Sequence, residues 1–133
     1  MCVACARSVP DRMPTFPVHG RVMVNGEPAQ HATVFFHPTD PAIRLFPHGR
    51  TDSNGYFELS TYVLNDGAPA GDYTVTITWQ DPPPAGSAPD APEGPDKLHG
   101  LFANPRTSTI RVHVAPRDNE LKPFQLTVSD GQP

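Results

Sequence analysis

Apolar and polar residues alternate with a period of two along most of the chain, the pattern of strands that bury one face and wet the other. In residues 17–24, Val18, Val22 and Val24 fall on one face and His19, Arg21 and Met23 on the other. Asn25-Gly26 follows, two residues that tolerate positive φ and so predict a tight hairpin turn. Ala32 to His37 is almost continuously apolar, which predicts a central strand, and Pro38 and Pro41 stop it. An irregular connection with Ile43, Leu45 and Phe46 is expected to cover a sheet margin. Arg50 to Asp52 then enters a Ser53-Asn54-Gly55 turn, and Tyr56 to Thr61 leaves it with Phe57 and Leu59 inward. The strictest alternation is Tyr73 to Trp79, with Tyr73, Val75, Ile77 and Trp79 on one face and threonines on the other. Ile110, Val112 and Val114 mark a further strand, as do Phe124, Leu126 and Val128, with a turn at Pro116 to Asn119 between them.

Seven strand segments joined by turns predict an all-β fold, a two-sheet Greek-key sandwich, without fixing the order in which the strands pair. The 133 residues suit one domain, and the 18 prolines and 10 glycines cluster outside the alternating segments, where they serve turns and connections. Residues 1–15 read as a flexible tether, 16–129 as the sandwich and 130–133 as a tail. Within the sandwich, 80–107 is a long Pro-rich connection. Its 81–95 part, with six prolines, is expected to be mobile or extended, and Leu98, Leu101 and Phe102 are expected to dock the remainder back on the sheets.

Charge narrows the partners. Ten Lys and Arg stand against 14 Asp and Glu, a net charge of -4, and no basic run exceeds two residues, which argues against nucleic acid. No apolar stretch approaches the roughly 18 residues needed to span a bilayer as a helix.

Catalytic patterns are missing. Ser53, Ser60 and Ser108 sit in no Gly-x-Ser-x-Gly elbow, and the six histidines, His19, His31, His37, His48, His99 and His113, have no metal-clip spacing. His19 and His113 both point outward from their strands and would meet only if those strands were neighbours. Asp52-x-Asn54-Gly55 looks superficially like a calcium loop, but a strand follows at once, so the acid and amide read as turn hydrogen bonders. Asp66 and Asp72 flank a turn and read the same way. Tyr73 and Trp79 belong to the core; Tyr56 and Tyr62 are left as candidate ligand contacts, in the manner of a carbohydrate-stacking surface.

Three readings of Cys2-Val3-Ala4-Cys5 stay open at this level. A redox or metal pair lacks a helix N-terminus or second ligand pair, and the two cysteines otherwise read as passive thiols. The third reading is a remnant lipoprotein signal, with small residues ahead of Cys5 and a polar tether after it, in which the charged and apolar stretches would lie upstream of Met1.

Several of these segments together resemble the carboxypeptidase regulatory-like, transthyretin-like domain. They are Val18-His19-Gly20-Arg21-Val22 with Asn25-Gly26-Glu27-Pro28-Ala29, Ala32 to Phe36, Thr51-Asp52-Ser53-Asn54-Gly55-Tyr56-Phe57, and Ala70-Gly71-Asp72-Tyr73-Thr74-Val75. Asp66 to Tyr73, Leu101 to Ser108 and Asn119-Glu120-Leu121 are similar to a subgroup of small bacterial lipoproteins that carry this domain. The resemblance covers about residues 16–128. It implies a seven-stranded prealbumin-like sandwich, broadly immunoglobulin-like, exported and held at the cell envelope by lipid on Cys5. Neither enzymatic relative by fold carries over: the hydroxyisourate hydrolases close in Tyr-Arg-Gly-Ser, unlike Ser129 to Pro133, and the iron ligands of intradiol dioxygenases have no counterpart in spacing. The expectation is therefore a non-catalytic, cofactor-free module of the envelope or extracellular space that contacts a protein or a surface. A carbohydrate-binding module using Tyr56, Tyr62 or loop aromatics is the alternative, and a metal-binding protein or enzyme is the third reading.

Overall fold

The computed structural model describes residues 13–80, 83, 85–92 and 94–128. Cys2, Cys5, most of the expected tether and the 130–133 tail lie outside the described residues. Nine strands form in two sheets, and no helix forms among the described residues. The protein is an all-β two-sheet sandwich.

The first sheet is built around β1, Val18–Val24. Its buried positions are Val18, Gly20, Val22 and Val24, so the inward face includes a glycine. Phe57 is the reason: a Cβ on Gly20 would lie 2.6 Å from the Phe57 ring, which occupies that space. Asn25 and Gly26 take φ of 52° and 84°, as the hairpin requires. The returning partner is short, however: β2, Glu27–Pro28, pairs with Met23 and Val24. The chain then leaves this sheet. The next strand of the first sheet is β5, Tyr56–Glu58, antiparallel to β1. On the other side of β1 lie β8, Asn119–Glu120, and β9, Phe124–Leu126, and both run parallel to it.

The second sheet has the order β4-β3-β6-β7. Its centre is β3, Ala32–Pro38, against β6, Gly71–Trp79, in register from Ala32 opposite Trp79 to Pro38 opposite Tyr73. β4, His48–Arg50, flanks β3, and β7, Arg111–Val114, flanks β6. The seven expected strands are thus nine. Each expected segment appears, and β2 and β8 are added as two-residue pairings that carry too few positions to show a period.

The core lies between the sheets. Val18, Val22, Phe57, Leu59 and Leu126 of one face Val34, Phe36, Tyr73, Val75 and Ile77 of the other. Aromatic contacts join Phe36 to Tyr73 within the second sheet (5.5 Å between centroids) and Phe57 to Phe124 within the first (5.9 Å). Trp79 is only partly buried, and its indole N–H donates to the Gln30 carbonyl at 2.7 Å. The long connection docks as expected through Leu98, fully buried, and Phe102, whose carbonyl accepts the Ile77 N–H at 2.8 Å; Leu101 instead stays exposed. Asp96 fastens the far end of the connection to the sheet, accepting the Trp79 N–H at 2.9 Å.

The sandwich margins differ. On one side β4 and the end of β5 are joined directly, because His48 and Ser60 exchange two backbone hydrogen bonds at 3.1 and 2.8 Å. On the other side β7 ends its sheet with no such partner among the described residues.

Candidate functional site

Along the joined margin, on the outer surface, β4, β5 and the turn after it enclose an open groove of about 1070 Å³. Tyr56 and Tyr62, the two aromatic candidates, both line it. The turn brings Val63 and Leu64 to the same rim, while His48, Arg50 and Glu58 supply charge and hydrogen-bonding groups.

Each tyrosine is placed by local chemistry. Tyr56 follows the Asp52 to Gly55 turn, in which the Asp52 carboxylate accepts the Asn54 and Tyr56 amides at 2.8 and 3.0 Å and Gly55 takes φ of 83°. The Asp-x-Asn-Gly run is therefore a turn, and its acid is spent on backbone donors. The Arg21 guanidinium lies 4.6 Å from the centre of the Tyr56 ring, and its Nε–H donates to the Asn54 carbonyl at 2.9 Å. This cation–π contact braces one side of a ring that remains about half exposed, at 51%.

Tyr62 sits in a turn organised by Asp66. That carboxylate accepts the amides of Thr61, Tyr62 and Val63 at 2.7, 3.0 and 3.2 Å. Burial alone would raise the Asp66 pKa, but the backbone donors that surround it outweigh burial and hold it below the ordinary value. Ser60 Oγ accepts the Asn65 N–H at 2.7 Å, so this hydroxyl is also structural. Gly67 closes the turn at φ of 94°, with its missing Cβ leaving room for the Phe16 carbonyl. The Tyr62 hydroxyl accepts the Met13 N–H at 2.8 Å, which ties the end of the expected tether to the groove.

The turn so fixed displays two aliphatic side chains that bury little: Val63 is 57% exposed and Leu64 83%. Sequence reasoning did not mark them, since they lie in a turn without periodicity. Their signal was the Tyr62-Val63-Leu64 run just ahead of Asn65-Asp66-Gly67, three apolar residues outside any strand.

The remaining chemistry is dispersed. His19 and His113 lie in different sheets and do not meet; His19 Nε2 contacts Asp118 and His113 Nδ1 contacts Asp72, each at 2.8 Å. His37 packs on the outer face of the second sheet against Phe35 and Phe46, bonded to the Thr76 hydroxyl at 2.8 Å, and burial lowers its pKa. The Ser108 hydroxyl is buried and donates to the Val75 carbonyl at 2.5 Å. Among the described residues no three His, Cys, Asp or Glu converge as metal ligands would.

No protein-family model and no curated protein matches the chain. Among solved structures the chain is similar to part of a 9R-lipoxygenase from Cyanothece PCC8801, at 13% identity and a TM-score of 0.43. That match covers 92% of this chain and spans 19% of the solved chain, a likeness too loose to carry any argument.

Proposed function

We propose that the protein is a non-catalytic binding module of the cell envelope or extracellular space, which meets a protein partner through the groove beside β4 and β5. The observation that carries this reading is the turn at Tyr62, Val63 and Leu64. A carboxylate with three backbone donors holds it rigid, and it presents exposed aliphatic side chains beside a half-exposed Tyr56 and Arg50. Aromatic and aliphatic anchors next to an arginine, pre-ordered before contact, are the make-up of a protein interface core. The family proposal is the transthyretin-like one, on the motifs quoted above, with lipid on Cys5 as the envelope anchor.

A photo-crosslinking side chain at position 64, introduced into the full chain in its native host, is expected to trap a partner protein. The same probe at exposed Thr107 is not, and Tyr56→Ser is expected to abolish the adduct. Equal labelling from both positions would overturn the reading. Mass spectrometry of Cys5 in that material tests the anchor.

The alternative is a carbohydrate-binding module, favoured by the uncovered side of the Tyr56 ring and by Glu58 and Glu120 along the groove as acceptors for sugar hydroxyls. Glycan-array binding that Tyr56→Ser removes would decide for it.

A further inference from the structure

The other margin of the sandwich holds a second, independent feature. Among the described residues β7 pairs only with β6, in register Tyr73 opposite Val112 and Gly71 opposite Val114, and just beyond the strand the Val75 N–H donates to the Ile110 carbonyl at 2.9 Å. Hydrogen-bonded pairs alternate in an antiparallel ladder, so Ile110, Val112 and Val114 spend their backbone groups on β6. Arg111 and His113 turn theirs the other way, and these outward amides and carbonyls meet no partner among the described residues.

The surface beside this edge is concave. A groove of about 470 Å³ runs between β7 and residues 121–124, with Ile110, Val112, Leu121 and Phe124, all partly buried, as its apolar lining. The side chains of Arg111 and His113 are exposed on the opposite face of the strand, and Lys122 stands on the far side of the groove. Asp72 is already engaged by His113 at 2.8 Å, which leaves Arg111 and Lys122 as the cations along the edge.

We propose that the free edge of β7 is a docking site for an extended peptide with acidic side chains at alternate positions, added to the four-stranded sheet as a further strand. Backbone pairing supplies the binding, the apolar groove takes every second side chain, and the charges select. An acidic side chain on the outer face of the added strand falls beside Arg111, where opposite charges across strands attract. A second copy of this chain is disfavoured by the same rule, since antiparallel pairing of two β7 edges about Arg111 sets the arginine of one copy against that of the other. Charged edge residues are a common guard against self-association; here they admit a partner of opposite sign.

The site lies at the opposite end of the sheet from β4, so its test stands apart from the function proposed above. The probes are an alternating Glu-Val hexapeptide, its Lys-Val counterpart and a scrambled acidic peptide, each added to the full isotope-labelled chain. With the alternating acidic peptide, amide exchange at Arg111 and His113 should slow by about tenfold or more while Val112, already bonded, changes little. His113→Pro deletes an outward donor while sparing the bonds to β6, a placement proline tolerates on an edge, and should weaken binding by about tenfold. Arg111→Glu with Lys122→Glu should transfer the preference to the Lys-Val peptide. The proposal is overturned by unchanged exchange at Arg111 and His113, by equal protection from the basic or scrambled peptide, or by protection that follows protein concentration with no peptide present.

Discussion

The side chain of Asn25 and the backbone of Val128, 103 residues apart, make two reciprocal hydrogen bonds: Asn25 Nδ2 donates to the Val128 carbonyl at 3.1 Å, and the Val128 N–H donates to Asn25 Oδ1 at 2.9 Å. The first hairpin turn is thereby clasped to the chain just past the last strand. Asn25 also holds a left-handed backbone, φ 52°. Asn25→Ala loses both advantages and should destabilise the fold by about 2 kcal/mol. Asn25→Gly keeps the backbone freedom and should lose about 1 kcal/mol. Urea denaturation of the two variants separates the contributions.

Asp66 makes stability depend on pH. Its folded-state pKa is below the ordinary 3.8, so the unfolded chain takes up the proton first as the solution is acidified. The stabilisation is whole above about pH 4 and is lost as pH falls through the folded value. In Asp66→Asn this part of the acid slope should vanish from a series of urea midpoints. The same variant should loosen the Tyr62 to Leu64 turn, seen as faster amide exchange at Thr61, Tyr62 and Val63.

Tyr73 gives the alkaline counterpart. Its hydroxyl donates to the Pro69 carbonyl at 2.6 Å, and burial, assisted by the nearby Tyr62, pushes its pKa from 10.0 up to about 12. The folded state keeps the proton longer, so the associated stability is complete below pH 10 and fades as pH rises through about 12. Ultraviolet titration should show a phenol ionising near pH 12, absent in Tyr73→Phe. That variant should also lose about 1–2 kcal/mol through the unpaired Pro69 carbonyl.

Thr51 is a buried bridge between the sheets. Its hydroxyl donates to the Ala29 carbonyl at 2.6 Å and accepts the Ala32 N–H at 2.7 Å, where the chain passes from β2 to β3. Thr51→Val preserves the shape and strands both backbone groups. A loss of about 2–3 kcal/mol is expected by thermal or chemical unfolding, and a value near zero would mean water reaches the crossing.

The strands were legible because the core face writes a period of two into the residues, as Tyr73, Val75 and Ile77 show, although Thr74 and Thr76, expected on a wet face, are buried too. The pairing was not. Nothing local to Val22 or Phe124 says that they lie side by side, since that neighbourhood depends on every connection between them. The expected single strand over 121–128 is interrupted because Pro123 has no N–H for the ladder, and Asn119 instead closes the preceding turn, accepting the Ala115 N–H at 2.9 Å. At the groove, Tyr56 and Tyr62 were visible one at a time. Their company with His48 and Arg50 arises only where β4 of one sheet meets β5 of the other. Val63 and Leu64 escaped because an exposed aliphatic in a turn has no periodic signature.

The parallel pairing of β1 with β9 has a mechanical meaning. Pulling the two ends of the chain apart drives these neighbouring strands in opposite directions along their length, so the Val22 to Val24 rungs opposite Phe124 to Leu126 are strained together in shear. A hairpin such as β1 with β2, pulled from its open end, parts one rung at a time. Force spectroscopy should accordingly find a single high rupture peak for the whole domain when it is stretched between its ends, and Asn25→Ala, which opens the side-chain clasp between the end of β1 and Val128, should lower it. A load applied between the two ends is borne by all the rungs between β1 and β9 at once.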